Sequence, residues 1–264
     1  MPSETNLEYA DDLVDGLELI WGDGFLSPGG SEEVARLLEG IDVEGKVVLD
    51  IGCGLGGPSC ALVEQHGAEH VIAIDIEEPV IQKARKRASG RNLEGRIDFK
   101  VVSPGQLPFD DSSFDLLFSK DAFIHVEDKS ALFRECYRVL RDGGWIVLSD
   151  WFCGNQPFSL EMESWLEREA QDVTFHITTL ESTASVLPNV GFTNVTSVDR
   201  NDWYSTYTRE ELARLSGPLR DKFVTRFGEQ ETQYWIDGIR KRMEVVDQGH
   251  LRPGHVRGQK PKIS

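Results

Sequence analysis

The chain has 264 residues, 39% of them hydrophobic, enough to bury the core of one large domain. A formal charge of −17 and an isoelectric point near 4.8 argue against a nucleic-acid partner, whose phosphates this surface would repel. The acidic start MPSETNLEYADDL has no apolar targeting core, no run nears the ~20 apolar residues that span a bilayer, and the four cysteines show no paired spacing, so a cytoplasmic protein with free thiols is expected.

Leu13, Leu17, Ile20 and Trp21 recur at helical spacing and predict an amphipathic helix over 8–21, broken by GDGFLSPGG. SEEVARLLEG predicts a short helix with Ser31 as N-cap. Alternation follows: strands at 46–51, 70–75, 96–102, 114–119 and 145–150, with helices after the first, second and fourth. Several of these strands are almost wholly apolar, the mark of a parallel sheet covered on both faces. PFSLEMESWLEREA predicts another helix. Thr178 and Glu181 have capping-box spacing for the next, and TNVTSVDR (193–200) is a sixth strand. Residues 201–248 carry two helical patterns, the first opened by Thr208 with Glu211 three on. HLRPGHVRG (250–258) predicts a last strand, which Pro253 confines to an edge or a bulge.

The fold class is therefore α/β: a doubly wound, mostly parallel seven-stranded sheet. A helical lid (1–30) precedes the α/β core (31–200), a helical insertion (201–248) covers the site, and the last strand and tail occupy 249–264. In VLDIGCGLGG a strand end, a glycine turn and a helix start coincide, and Gly52, Gly54 and Gly57 satisfy G-x-G-x-x-G. Such glycines let a ligand approach the backbone at a helix N-terminus. Asp75, 18 residues past Gly57, ends the second strand, where a carboxylate accepts ribose hydroxyls of either a nicotinamide dinucleotide or S-adenosylmethionine. Asp50, two residues before Gly52, favours a ligand that carries an ammonium.

DIGCGLGG with IDI downstream resembles the class I S-adenosylmethionine-dependent methyltransferases over roughly residues 31–150. The resemblance implies that Gly52, Cys53 and Gly54 line the methionine moiety, Asp75 the ribose and Ile76 the adenine. Ser103 and Pro104 stand where the family often has an acid for the adenine amine. A narrower resemblance joins LEYADDLVDGLELIWGDGFLSPGG to SKDAFIHV after the fourth strand. It is to the phosphoethanolamine N-methyltransferases and, more loosely, to the sarcosine/dimethylglycine N-methyltransferases. By that likeness Tyr9 pairs with His125, Leu26 and Ser27 lie against the cofactor, and Asp121 lies near the acceptor nitrogen.

The residue types suit methyl transfer to a small amine. An amine is mostly protonated at neutral pH, a histidine can take its proton, and a carboxylate can orient it. The aromatic–arginine–aromatic phosphate cluster of the resembled family falls on Glu169, Val173 and Phe175 here, with Arg168 adjacent and Trp151 in place of a tyrosine. An acceptor with a carboxylate tail (glycine, sarcosine or dimethylglycine) is thus expected over a phosphate ester. Arg200, Arg252 or Arg257 would bind the tail, unless they are surface charges. Trp203 and Tyr204 either wall a methylated ammonium or pack in the core. His250 and His255 lack a third nearby ligand, so no metal is expected. The alternatives are a thioether or hydroxyl acceptor on a small carboxylic acid, or a phosphobase acceptor with a rearranged phosphate site.

Overall fold

The apolar strand runs assemble into one seven-stranded sheet. The computed structural model describes residues 11–169 and 174–262. Two helices, α1 (Asp11–Trp21) and α2 (Gly30–Leu37), precede β1 (Val47–Ile51). Then come α3 (Gly57–Glu64), β2 (His70–Asp75), α4 (Glu78–Gly90), β3 (Ile97–Val101), β4 (Phe114–Lys120), a 3₁₀ turn (Phe123–His125) and α5 (Lys129–Val139). The second half holds β5 (Leu140–Cys153), α6 (Leu160–Glu169), α7 (Leu180–Val190), β6 (Thr193–Asp199), α8 (Asn201–Ser216), α9 (Arg220–Phe227), α10 (Glu229–Asp247) and β7 (Leu251–Gln259).

The order is β3-β2-β1-β4-β5-β7-β6, and only β7 runs antiparallel to its neighbours. The expected doubly wound sheet is what forms. The order reverses between β1 and β4, which opens a crevice at the carboxyl ends of those strands. Side chains alternate across the sheet. Val48, Leu116 and Phe118 meet α2, α3 and α4 on one face; Leu49, Leu117 and Leu148 meet α5 and α7 on the other. Each such fully buried Leu or Phe contributes about 1.5–3 kcal/mol.

Several local expectations are corrected. Gly29, at φ +91°, precedes α2 in place of the expected Ser31 cap. Thr179 rather than Thr178 caps α7, accepting from Ser182 N–H at 3.1 Å. Thr208 and Glu211 do not open a helix. Both are buried inside α8, and 201–248 forms three helices rather than two. Strand β5 is longer than 145–150 because β7 pairs along it from Trp145 to Cys153. Pro253 lies on an interior strand, just past the last β6 pair, Asp199–Gly254; Arg200 N–H donates to its carbonyl at 2.8 Å.

Helix α1 lies over the glycine loop and the insertion. Val14 packs with Leu55 and Val80, and Ile20 with Leu215, Phe223 and Ile236. Arg87 of α4 latches the segment after it, donating to Asp23 at 3.0 Å, to Leu55 O at 2.5 Å and to Glu18. No helix among the described residues is long and apolar enough to cross a membrane.

Candidate active site

The loop from β1 to α3 needs its glycines for identifiable reasons. Gly52 has φ +71°, and a Cβ there would overlap the Ala122 methyl. At Gly54 (φ +49°) a Cβ would press on Leu26 Cδ1 at 3.0 Å. Gly57 N–H donates to Gly24 O at 3.0 Å, and a Cβ would meet that oxygen at 2.5 Å. The third glycine therefore admits the N-terminal segment, and the first admits the loop after β4.

Two carboxylates frame this loop, Asp50 buried and Asp75 half-buried. Asp50 accepts from Ser59 Oγ at 2.5 Å through Oδ2, while Oδ1 is buried without a partner among the described residues. Burial, opposed by the Ser59 bond and reinforced by the Asp75 charge, pushes its carboxyl up to about 7. Asp75 accepts from the backbone N–H groups of Gly54 at 2.9 Å and Glu77 at 3.1 Å. Burial raises its pKa despite those bonds. Beyond it Ile76 is 52% exposed, and Ser103 and Pro104 lie exposed in the loop after β3. An orphaned carboxylate oxygen, a carboxylate with acceptor capacity to spare and an open apolar shelf fit the ammonium, ribose and base of S-adenosylmethionine.

The opposite wall starts at the tip of β4. Asp121 adopts φ +57°, an uncommon conformation for a residue with a Cβ and one that concentrates at functional sites. Three bonds hold it: its N–H donates to Ser149 O at 2.9 Å, Ser149 Oγ donates to Oδ1 at 2.9 Å, and Lys120 Nζ to Oδ2 at 2.6 Å. Lys120 also donates to Ser27 Oγ at 2.6 Å, so the expected Ser27 and Asp121 share one buried lysine. Asp121 faces a cleft lined by Pro28, Trp151, Trp203, Tyr204, Arg200, Glu33 and His255.

His125 does not line that cleft. An aromatic row separates it: Trp151 stacks on Trp165 at 6.4 Å, Trp165 on Phe175 at 6.3 Å, and Phe175 lies 5.5 Å from the imidazole. His125 Nδ1 pairs with Thr174 O at 3.2 Å, which fixes the neutral tautomer with its lone pair on Nε2. Burial lowers its pKa below the usual histidine value. Tyr9 and Val173 lie outside the described residues.

The expected tail-binding arginines already have partners, Arg200 within the cleft wall itself and the others away from it. Arg200 forks onto Glu33 at 3.0 and 2.9 Å and lies over Trp203 at 4.8 Å. Arg252 pairs with Asp199, Arg257 donates to Glu39 O and Arg36 O, and Arg168 covers Tyr234 and donates to its carbonyl. His255 is bound to Glu33 at 2.7 Å, and His250 stands at a separate surface hollow. Residues the sequence reading passed over are Lys120, Ser149, Glu33 and Asp150. Asp150 is buried within β5, and burial with the neighbouring Asp121 charge pushes its carboxyl up to about 8. Glu33 had a signal: it lies four residues before Leu37, on the buried face of α2.

A methyltransferase-domain family model matches residues 49–148. Phosphoethanolamine N-methyltransferase of Plasmodium falciparum is 30% identical over 261 residues, covering 97% of this chain and 94% of the relative. Phosphoethanolamine N-methyltransferase 1 of Arabidopsis thaliana is 29% identical over 240 residues, covering 90% of this chain and 47% of the relative. The chain spans about half the length of the plant relatives it matches. Among solved structures, Haemonchus contortus phosphoethanolamine N-methyltransferase 2, bound to phosphomonomethylethanolamine and S-adenosylhomocysteine, superposes with a TM-score of 0.87 at 22% identity. That match covers 96% of this chain and 58% of the other. A protein of Galdieria sulphuraria described as a sarcosine dimethylglycine methyltransferase gives 0.74 at 25% identity, covering 88% and 86%.

Proposed function

The chain belongs to the S-adenosylmethionine-dependent methyltransferases of the phosphoethanolamine N-methyltransferase family, and on that premise we propose that it methylates the nitrogen of a small amine. The observation that carries this reading is the close approach of Ala122 to Gly52. It sets the Asp121 turn directly against the glycine loop, so a carboxylate suited to a cationic amine borders the cofactor site.

When bound, the cofactor supplies an electrophilic methyl group on a positively charged sulfur. Asp50 and Asp75 hold its ammonium and ribose. Asp121, fixed by Ser149 and Lys120, orients the acceptor nitrogen with its remaining lone pairs. By the family likeness His125 receives the amine proton, and because the aromatic row stands between it and the Asp121 cleft the proton reaches it by relay rather than by direct contact. Trp151, Trp203 and Tyr204 exclude water and favour a cation near their rings. Alignment supplies the rest of the acceleration.

The acceptor we favour is an amino acid of the glycine, sarcosine or dimethylglycine type. Glu169, at the end of α6 where the family likeness puts a phosphate pocket, would face a phosphate dianion with a carboxylate. The test is release of S-adenosylhomocysteine across phosphoethanolamine, ethanolamine, glycine, sarcosine, dimethylglycine and methylthio acids. Turnover of the amino acids is expected. Turnover of phosphoethanolamine alone would refute the acceptor, and none with any amine would refute the reaction class.

A further inference from the structure

Lys120 ends β4 as a buried cation, an unfavourable placement unless close partners offset it. Only 3% of its side chain is exposed, and 9% of that of Asp121. Its Nζ donates to Asp121 Oδ2 and to Ser27 Oγ, each at 2.6 Å. Lys120 and Asp121 both line the cleft. Successive residues of a strand point to opposite faces. These neighbours meet because the chain leaves β4 at Asp121, with φ +57°. The unusual backbone of Asp121 and its ion pair with Lys120 are thus one feature.

That feature bears on the acceptor. An ammonium has no lone pair. Its proton must leave before the nitrogen can form the new bond to carbon, as the carbon–sulfur pair departs with sulfur. A lone carboxylate in contact with the nitrogen opposes this, because an opposite charge at close range favours the protonated form by about ten- to a thousandfold. Lys120 offsets that charge beforehand. The other groups around Asp121 are committed or neutral. Glu33 of α2 is shared by Arg200 and His255 of β7. Asp150 of β5, its carboxyl pushed up to about 8 by burial and the Asp121 charge, is mostly protonated at neutral pH. Lys129 of α5 donates to the carbonyls of Val126 and His176. Burial pushes the Tyr204 hydroxyl of α8 well above its ordinary value, and Arg242 of α10 is paired with Glu211. We propose that Lys120 is a positioning residue that splits the charge of Asp121, so that the carboxylate aims the acceptor nitrogen without locking its proton in place. Ser27 holds the lysine there from the N-terminal segment. This inference rests on the nitrogen-acceptor reading.

The test follows the amine that wild type turns over fastest in the panel above, dimethylglycine on the function proposed. Its binding to protein saturated with S-adenosylhomocysteine is measured by calorimetry, and kcat is measured from about pH 6 to about pH 10. Lys120→Met, of similar length and without charge, should bind the ammonium about tenfold more tightly at neutral pH, because Asp121 is no longer offset. Its kcat should fall about tenfold at neutral pH and climb back toward wild type as rising pH strips the nitrogen of its proton. Lys120→Arg keeps the charge and should stay within about threefold of wild type in both. The double variant Lys120→Met/Asp121→Asn strands no charge and serves where the single variant does not fold, as thermal melts reveal. It should bind the amine more weakly than wild type, with a kcat deficit that does not vary with pH. A merely structural lysine would instead give weaker binding and a constant loss of kcat in Lys120→Met. That result, or Lys120→Arg behaving as Lys120→Met, or a double variant whose deficit closes at high pH, would overturn the role of Lys120 and leave nitrogen methylation standing. Wild type that turns over no amine overturns both readings.

Discussion

The two walls of the cleft are built differently. The proposed cofactor wall comes from a single β–α–β unit: Asp50, the glycine turn and Asp75 are neighbours in sequence, and backbone N–H groups position much of it. The proposed acceptor wall draws Ser27 from the segment before α2, Glu33 from α2, Lys120 from β4, Ser149 from β5, Tyr204 from α8 and His255 from β7. Its side chains are held by one another, through Lys120 between Ser27 and Asp121 and through Glu33 between Arg200 and His255. A wall made of backbone geometry tolerates changes elsewhere in the chain. A wall of mutually paired side chains can be rewired by a few substitutions, which suits a fold that keeps one donor and changes its acceptor.

The walls meet at Gly52, and breaking that contact should have the largest effect. Gly52→Ala adds a methyl at φ +71° against Ala122, with an expected loss of about 2–4 kcal/mol of stability. A fall of about a thousandfold or more in kcat/KM should accompany it. Adding Ala122→Gly should recover the overlap component but not the backbone strain, as denaturant midpoints of the two variants would reveal.

His125→Ala comes next, lowering kcat by about 10²–10⁴-fold if the imidazole takes the amine proton. In wild type the acidic limb of the rate profile should lie below the ordinary histidine value, because burial lowers the pKa, and the variant should lack that limb. A sulfur acceptor needs no base, so an unchanged rate would point there.

Glu33→Gln then probes the acceptor wall's supports. His255 and Arg200 hold the Glu33 carboxyl at about 2 against burial, from an ordinary 4.5. A lowered carboxylate pKa stabilises the fold above pH 4.5 and loses that effect as pH falls toward 2. The variant should therefore be less stable by up to about 3 kcal/mol at neutral pH and approach wild type in acid. A deficit that stays constant with pH would contradict the ion-pair account.

The smallest effect belongs to the cofactor wall. Asp50→Asn should weaken S-adenosylmethionine about tenfold at pH 8. Wild-type affinity should rise with pH and level off above about 7, as the carboxyl loses its proton, while the variant stays flat. Isothermal titration at several pH values measures both.

The cofactor wall was readable in the sequence because its information is local. Turn glycines, a strand-ending acid and the apolar period of each strand occupy adjacent positions, and they predicted the sheet and its crevice. Thr208 and Glu211 misled for the converse reason. Their spacing matches a capping box, but tertiary packing overrode it: α8 extends through them and buries both, with Glu211 paired to Arg242 on α10. The arginines expected at a carboxylate were likewise settled by partners distant in sequence, Glu33 for Arg200 and Asp199 for Arg252.

By itself, then, the sequence determined the layered α/β sheet, the glycine turn and the family, since these rest on periodicity and on residue types at fixed spacing. Only the tertiary structure decided which charges are free. Whether an arginine is a ligand or a strut depends on the carboxylate that folding places beside it. For Arg200 and Glu33 that juxtaposition spans 167 positions of chain, and no local pattern encodes it.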